Sequence, residues 1–312
     1  MKKLTIVMPF LNEGEEPRNT IKSIYATCEK EAVQIIAIDD CSTSTFTDFS
    51  EFPEVTVIRN AQRRGSGAAK HQGVLLAQTK HVLIIDGHMR FRNDGWLERI
   101  TEALRREPTT LFCTTSVRLS KEDMQITEDK QRYFGANLVL VDQDNQQSTS
   151  AQQIIEPKWA DEKPERDYEI QCILGANYAV NRDWFLKLRG FDGLQKWGTE
   201  EAFLSLKSWM AGGKCKILKD IEIGHMYREE APYITPSSHL FFNKIWMCEC
   251  LFSTTLSMHL RARFPATVER RVAYLDLNNR AQLLNEARSY YASIQVKSPD
   301  QICQEWGILP MH

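Results

Sequence analysis

His81-Val82-Leu83-Ile84-Ile85-Asp86-Gly87-His88 decides how this chain is read. An apolar run of strand length stops abruptly at a carboxylate and an imidazole spaced two residues apart. Such a run, bounded by polar residues, reads as a buried strand. Alternate side chains beyond its end converge on one point, so Asp86 and His88 are candidate ligands of one divalent cation. A mixed oxygen and nitrogen donor set suits Mn²⁺, or Mg²⁺ in its place, better than Ca²⁺, and no thiolate or tetrahedral spacing argues for zinc.

Working outward, strand-like and helix-like stretches alternate from residue 4 to about residue 116. Leu4–Met8, Val33–Ile38, Val55–Ile58, Val82–Ile85 and Leu111–Val117 read as strands, and Glu16–Glu29, Gly67–Gln78 and Gly95–Arg106 as helices. The alternation predicts an α/β fold in which helices cover a parallel sheet and ligand groups gather beyond the carboxyl ends of the strands. Residues 119–169 interrupt it. They are polar, carry the run Gln146–Ser150, and read as an insertion or flexible lid. The rhythm resumes at Cys172–Val180, and Ala202–Ala211 reads as a helix. From about residue 237 the pattern is helical, most clearly over Leu240–Leu260 and Ala273–Ile294. A main domain over 1–232 and a helical extension over 233–312 follow.

Composition narrows the function classes. With 312 residues, 42% hydrophobic and 26% charged, the chain has ample material for a large core. A formal net charge of -2 excludes general attraction to nucleic acid or an anionic membrane, leaving local patches only. The eight cysteines are scattered without a C-x-x-C, which points to reduced thiols and a cytoplasmic setting. No stretch approaches the roughly 20 apolar residues of a membrane span, and Met1–Phe10 reads as the first strand, not a leader.

Other strand ends carry polar groups as well. Pro9-Phe10-Leu11-Asn12-Glu13 follows the first strand and Asp39-Asp40-Cys41-Ser42 the second. A carboxylate at Asp39 or Asp40 can accept the imide hydrogen of a uracil ring or bind a ribose hydroxyl, or instead cap a turn. Arg63-Arg64-Gly65 enters a helix after the third strand, where arginines and a helix N-terminus suit a diphosphate or a base.

Taken together, these stretches resemble the GT-A glycosyltransferases, especially family 2. The resemblance rests on I-V-M-P-F-L-N-E, I-D-D-C-S, R-N-x-x-R-R-G-S-G-A-A-K-H-Q-G-V and I-I-D-G-H in that order, over about residues 3–230. Trp197-Gly198-x-Glu200, Gly224-His225-x-x-Arg228 and the Asp-x-His form look more like the polypeptide N-acetylgalactosaminyltransferases than like the usual Asp-x-Asp enzymes. The resemblance implies a Rossmann-like nucleotide-diphospho-sugar transferase sheet. It also implies a UDP-sugar donor held by Pro9, Asn12, Glu13, Asp39, Asp40, Arg63, Arg64, Gly65, Asp86, Gly87 and Trp197. The implied metal ligands are Asp86, His88 and His225, and the implied catalytic groups are Glu200, Glu201 and Arg228. The family 2 pattern makes the residue at Glu201 a general base, whereas the retaining pattern has Glu200 shape the site, and the motifs lean towards retention. This sequence carries neither the membrane anchor nor the Gln-x-Trp lectin repeats of those relatives, so the expectation is a compact cytoplasmic enzyme.

The activity expected is transfer of a hexose or N-acetylhexosamine to a hydroxyl acceptor: glycan, polymer, peptide or modified nucleic acid. Acceptor contacts are expected from 119–169, Trp197 and the tail, where Trp246 and Arg261, Arg263, Arg270 and Arg271 stand out. Functional arginines there would make the acceptor anionic, and nucleic acid is the least favoured of the options. Two rival readings are a sugar-nucleotide-forming nucleotidyltransferase and a non-catalytic UDP-sugar-binding protein. The first calls for a Gly-rich basic loop after strand one, where this chain has Pro9–Glu16 instead. The second conflicts with intact Asp86, His88, His225, Glu200 and Glu201.

Overall fold

A computed structural model describes residues 1–43, 48–92, 95–120, 124–140, 155–228 and 232–308. In chain order its main elements are β1 (Leu4–Phe10), α1 (Glu16–Tyr25), β2 (Val33–Asp39), β3 (Thr56–Arg59), α2 (Ser66–Leu76), β4 (His81–Ile85), β5 (Met89–Phe91), α3 (Trp96–Arg106) and β6 (Thr110–Arg118). There follow β7 (Arg132–Tyr133), β8 (Ala136–Leu140), β9 (Ile155–Trp159), β10 (Asn177–Asn181), α4 (Arg182–Lys187), α5 (Glu200–Met210) and β11 (Lys214–His225). The extension holds α6 (Ser237–Leu251), α7 (Thr254–Ala262), α8 (Val268–Asn279), α9 (Ala281–Ile294) and α10 (Pro299–Glu305).

The apolar runs become the central strands because both faces of the sheet are covered. Every residue of β1 and β2 is buried. Leu4, Ile6, Met8 and Phe10 face a core with Ile21 and Ile24 of α1 and Trp96, Leu97 and Ile100 of α3. Val7, Val82 and Ile84 point to the other face, into a core shared with α2, α4, α5 and all the tail helices. This is the two-residue alternation of a strand. On that second face α2 lies close to β1, since a Cβ on Gly73 would sit 2.3 Å from Val7 Cγ1.

The sheet is mixed, where the sequence reading expects it parallel. Its order is β3-β2-β1-β4-β10-β6-β11-β5, with β7 pairing β6. β10 runs antiparallel to both β4 and β6, and β5 runs antiparallel to β11. All five residues of β10 are buried, so its composition matches that of a parallel strand and carries no mark of direction. Residues 119–169 also hold more order than a lid of irregular chain, since β8 and β9 pair as a two-stranded sheet. The run Gln146–Ser150 lies outside the described residues.

The two long helical stretches of the tail are each broken. Phe252 is extended and the Ser253 hydroxyl caps α7 by accepting from Leu256 N, while Arg280 leaves helical geometry between α8 and α9. Trp246, a candidate acceptor contact by sequence, is instead core. It is 1% exposed and packs against Gly193, where a Cβ would come within 2.1 Å of its ring.

Candidate active site

Three segments distant in sequence meet beyond the strand ends. The turn from β4 to β5 carries Asp86 and His88, and its backbone is tied across the sheet by Asp86 N donating to Ala176 O at 3.0 Å. The antiparallel register of β5 and β11 places His225 opposite Met89, beside His88. One ligand atom from each of Asp86, His88 and His225 then falls within 4.8 Å of the others. His88 Nε2 is 3.1 Å from His225 Nε2, and His225 Nε2 is 3.5 Å from Asp86 Oδ2.

The donor set fits a first-row divalent ion. Metal–nitrogen bonds of about 2.1 Å put right-angle ligands about 3 Å apart, which is the spacing of the two imidazole nitrogens. His88 Nδ1 lies 3.0 Å from Glu13 Oε2, and Arg228 Nη2 donates to the same oxygen. Burial raises the Glu13 carboxyl, but His88 and Arg228 outweigh it and hold the group below its usual range. An ionised carboxylate only accepts, so His88 Nδ1 is the ring nitrogen that donates to Glu13, and Nε2 is the one turned towards the cluster. Burial lowers the His225 imidazole, and its buried Nδ1 has no hydrogen-bond partner among the described residues. Asp86 is pushed up by burial but held well below the carboxylate range by Lys70, His225 and His88.

Lys70, on α2, is 4% exposed, with Nζ 3.7 Å from Asp86 Oδ1 and 3.2 Å from Gly175 O. The sequence reading gives it no role. In the same cleft α5 begins at the carboxylate pair. Glu200 is 5% exposed and accepts from Gly198 N at 2.6 Å. Burial, with Glu201 beside it, pushes Glu200 up to about 7, and burial raises Glu201 too. Glu201 packs on Gly175, where a Cβ would overlap its Oε1.

Pro9, Glu13, Asp40, Arg63, Asp86, Gly87, His88, Trp197, Glu200, Glu201 and His225 line one open cleft, with about 940 Å³ of free space counting its mouth. Lys70, Trp159, Gly175, Lys196 and Tyr233 line it too, without having been singled out by sequence. Arg63 lies over the Tyr233 ring at 4.8 Å and donates to Ile234 O at 2.6 Å. Asp40 is engaged within the fold: it accepts from Arg64 N and Gly65 N at 2.8 and 2.7 Å, fixing the turn into α2, and from Asn60 Nδ2 at 2.9 Å. Gly65 is there because φ is +104° and a Cβ would sit 2.3 Å from the Lys196 backbone.

Asp39, Asn12, Arg64, Gly65 and Arg228 do not line the cleft. Asp39 accepts from Ser42 N at 2.7 Å and faces Arg59 at 3.3 Å. Asn12 is held to Ser42 and Thr43, and Arg64 reaches Gln72. Arg228 acts on the cluster through Glu13. The tail arginines do not line the cleft either: Arg261 pairs with buried Glu249 at 2.8 Å, and Arg270 donates to Phe264 O.

A polypeptide N-acetylgalactosaminyltransferase 10 of Homo sapiens is 27% identical over 243 residues, 75% of this chain and 39% of its own. A polypeptide N-acetylgalactosaminyltransferase 4 of Mus musculus is 26% identical over 296 residues, 90% of this chain and 48% of its own. The chain therefore spans between two-fifths and one half of these relatives. A crystal structure of GalNAc-T7 with UDP, GalNAc and Mn²⁺ superposes with a TM-score of 0.69 at 18% identity, over 97% of this chain and 56% of that one, and so shares the fold. Residues 5–189, more than half the chain and the part that builds β1 to β10, match the sequence model of Glycosyl transferase family 2, and to that family the chain belongs.

Proposed function

We propose that the protein is a metal-dependent glycosyltransferase that moves a hexose or N-acetylhexosamine from a UDP-sugar to a hydroxyl acceptor. The observation that carries this is that the Asp86–His88–His225 cluster and the Glu200–Glu201 pair line one cleft. It is supported by relatives named as N-acetylgalactosaminyltransferases and by the UDP, GalNAc and Mn²⁺ of the GalNAc-T7 structure.

Asp86, His88 and His225 would hold the ion, which when bound supplies positive charge to a diphosphate leaving group. The chain's own part is to place charge before the reaction begins. Glu13 fixes the His88 ring and positions Arg228, so one carboxylate orients a ligand and a cation together. Lys70 sets a second cation against Asp86. Arg63 over Tyr233 offers a flat cationic edge for a base or phosphate. Glu200, buried and tied to Gly198 N, shapes the sugar site, and this supports retention over base catalysis by Glu201. The acceptor would enter by the mouth, where Trp159 and Trp197 are 38% and 47% exposed.

A cytoplasmic setting belongs to the same proposal, supported by eight free cysteines. Among the described residues no helix is long and apolar enough to cross a membrane. The test is hydrolysis of a panel of UDP-sugars with Mn²⁺, water serving as acceptor, followed by NMR of the fresh product's anomeric proton. Turnover of one or more UDP-sugars is expected, with an α product from an α-linked donor. No turnover of any, with no thermal protection by UDP, would overturn the reading.

A further inference from the structure

The helical extension reaches the cleft through one turn of α6. Asn243, fully buried, donates from Nδ2 to Gln195 O, Trp197 O and Gly198 O at 2.8, 3.3 and 2.9 Å, and its Oδ1 accepts from Gln195 N at 2.7 Å. Four hydrogen bonds from one side chain thus fix the loop that presents Trp197. The Gln195 side chain adds two more ties, to His239 of α6 and to Asp276 of α8. The next residue, Lys244, is also buried, and its ammonium pairs with Glu156 of β9, the strand that ends in Trp159. Burying an asparagine and a lysine side by side in a helix is costly unless both are partnered. Here the partners lie on the two separate segments that bring a tryptophan to the cleft mouth.

We propose that Asn243 and Lys244 are positioning residues that set the two tryptophans of the cleft mouth, Trp197 through the 195–198 loop and Trp159 through β9. The extension is then a working part of the acceptor side and not an appended bundle. This rests on the proposed transferase reading for its meaning, but the geometry it asserts is testable without an acceptor. The loop also carries the Gly198 N–H that holds Glu200 and the Lys196 carbonyl that receives Ser66 N at 2.6 Å, so displacing it reaches the sugar site as well.

The experiment compares Asn243→Ala and Lys244→Met in the full chain. Acrylamide quenching of tryptophan fluorescence is resolved by repeating each variant in Trp197→Phe and Trp159→Phe backgrounds. Asn243→Ala is expected to raise quenching of Trp197 at least twofold and leave Trp159 unchanged; Lys244→Met is expected to do the reverse. General loosening of the fold would move both tryptophans together, and that result, or no change in either, overturns the proposal. Gln195→Ala, which cuts the loop's ties to His239 and Asp276, replaces Asn243→Ala if the latter does not fold. As a second readout, Asn243→Ala is expected to lower kcat for Mn²⁺-dependent hydrolysis of whichever UDP-sugar the wild-type chain turns over fastest roughly tenfold, with the Kd for UDP within threefold. Asn243→Asp, isosteric but facing three carbonyls with a carboxylate, should be at least as impaired, whereas a mere space-filling role would leave it near wild type. A wild-type chain that hydrolyses no UDP-sugar would defeat the transferase reading and leave the fluorescence pattern to decide this one.

Discussion

Replacing Glu13 by Gln removes one charge and no volume, and its effect should fall on metal affinity. Glu13 Oε2 is the partner of His88 Nδ1 at 3.0 Å and of the Arg228 guanidinium, in a side chain 5% exposed. The amide no longer demands a proton on His88 Nδ1 and no longer balances Arg228. Outer partners of this kind are worth 10- to 100-fold in metal affinity, about 1.4–2.7 kcal/mol. The cation left near the cluster by Arg228 adds repulsion towards the incoming ion, so the upper half of that range is expected. Titration calorimetry of Mn²⁺ in the presence of saturating UDP measures it directly. His225→Ala, which deletes a ligand itself, marks the limit of complete loss. A Glu13→Gln variant that bound Mn²⁺ within twofold of wild type would refute the assignment of His88 to the ion, because the tautomer argument would then have no consequence.

The other expectations concern the nucleotide, the turn at Gly65 and pH. With Mn²⁺ present, UDP at 100 times its Kd should raise stability by about 2.7 kcal/mol, several degrees of melting temperature, and better protection by GDP or CMP would make the base assignment wrong. Gly65→Ala meets both the Lys196 backbone at 2.3 Å and a φ of +104°, so a loss of at least about 1–3 kcal/mol in urea unfolding is expected, and an unchanged midpoint would show that the turn relaxes freely. Glu200 has a carboxyl raised to about 7 by burial and by Glu201, so its proton is bound more tightly in the folded chain than in the unfolded one. The stability this gives is present in full below the unfolded value near 4.5 and is lost as pH rises through about 7. Metal-free Glu200→Gln should therefore flatten the fall in stability between pH 5 and 8, and an unaltered slope in denaturant unfolding would place that titration elsewhere.

What the sequence discloses and what it withholds follow from the range of the interactions. Asp86 and His88 are legible because two residues of one turn suffice to place them. His225 is legible only through its Gly-His-x-x-Arg setting, since its proximity depends on the β5–β11 register, which local pattern does not encode. The antiparallel course of β10 is hidden for the same reason, as burial on both faces erases any difference between the two directions. Lys70 could have been found: on α2 it shares a buried stretch with Gly67, Ala69, Gly73 and Val74, and a lysine on such a face needs a partner. Trp159 and Tyr233 carry no comparable local signal, since only the folded chain brings them to the cleft.

The same reasoning bears on the tail. Apolar residues recur at helical spacing on both sides of Phe252 and of Arg280, so the pattern merges four helices into two, although the cap at Ser253 and the polar run Asn278-Asn279-Arg280 stand at the breaks. Yet Asn243 and Lys244 interrupt the most apolar helix of the chain, and both are buried. A polar pair in that position has to be satisfied from outside its own helix, and the only elements within reach are those it packs against. The sequence of α6 therefore announces polar contacts with other elements; in the fold those of Glu249 stay within the extension, whereas those of Asn243 and Lys244 join it to the rest of the molecule. Such contacts fix geometry where apolar packing alone would tolerate sliding, and here they fall on the two segments that bear the exposed tryptophans.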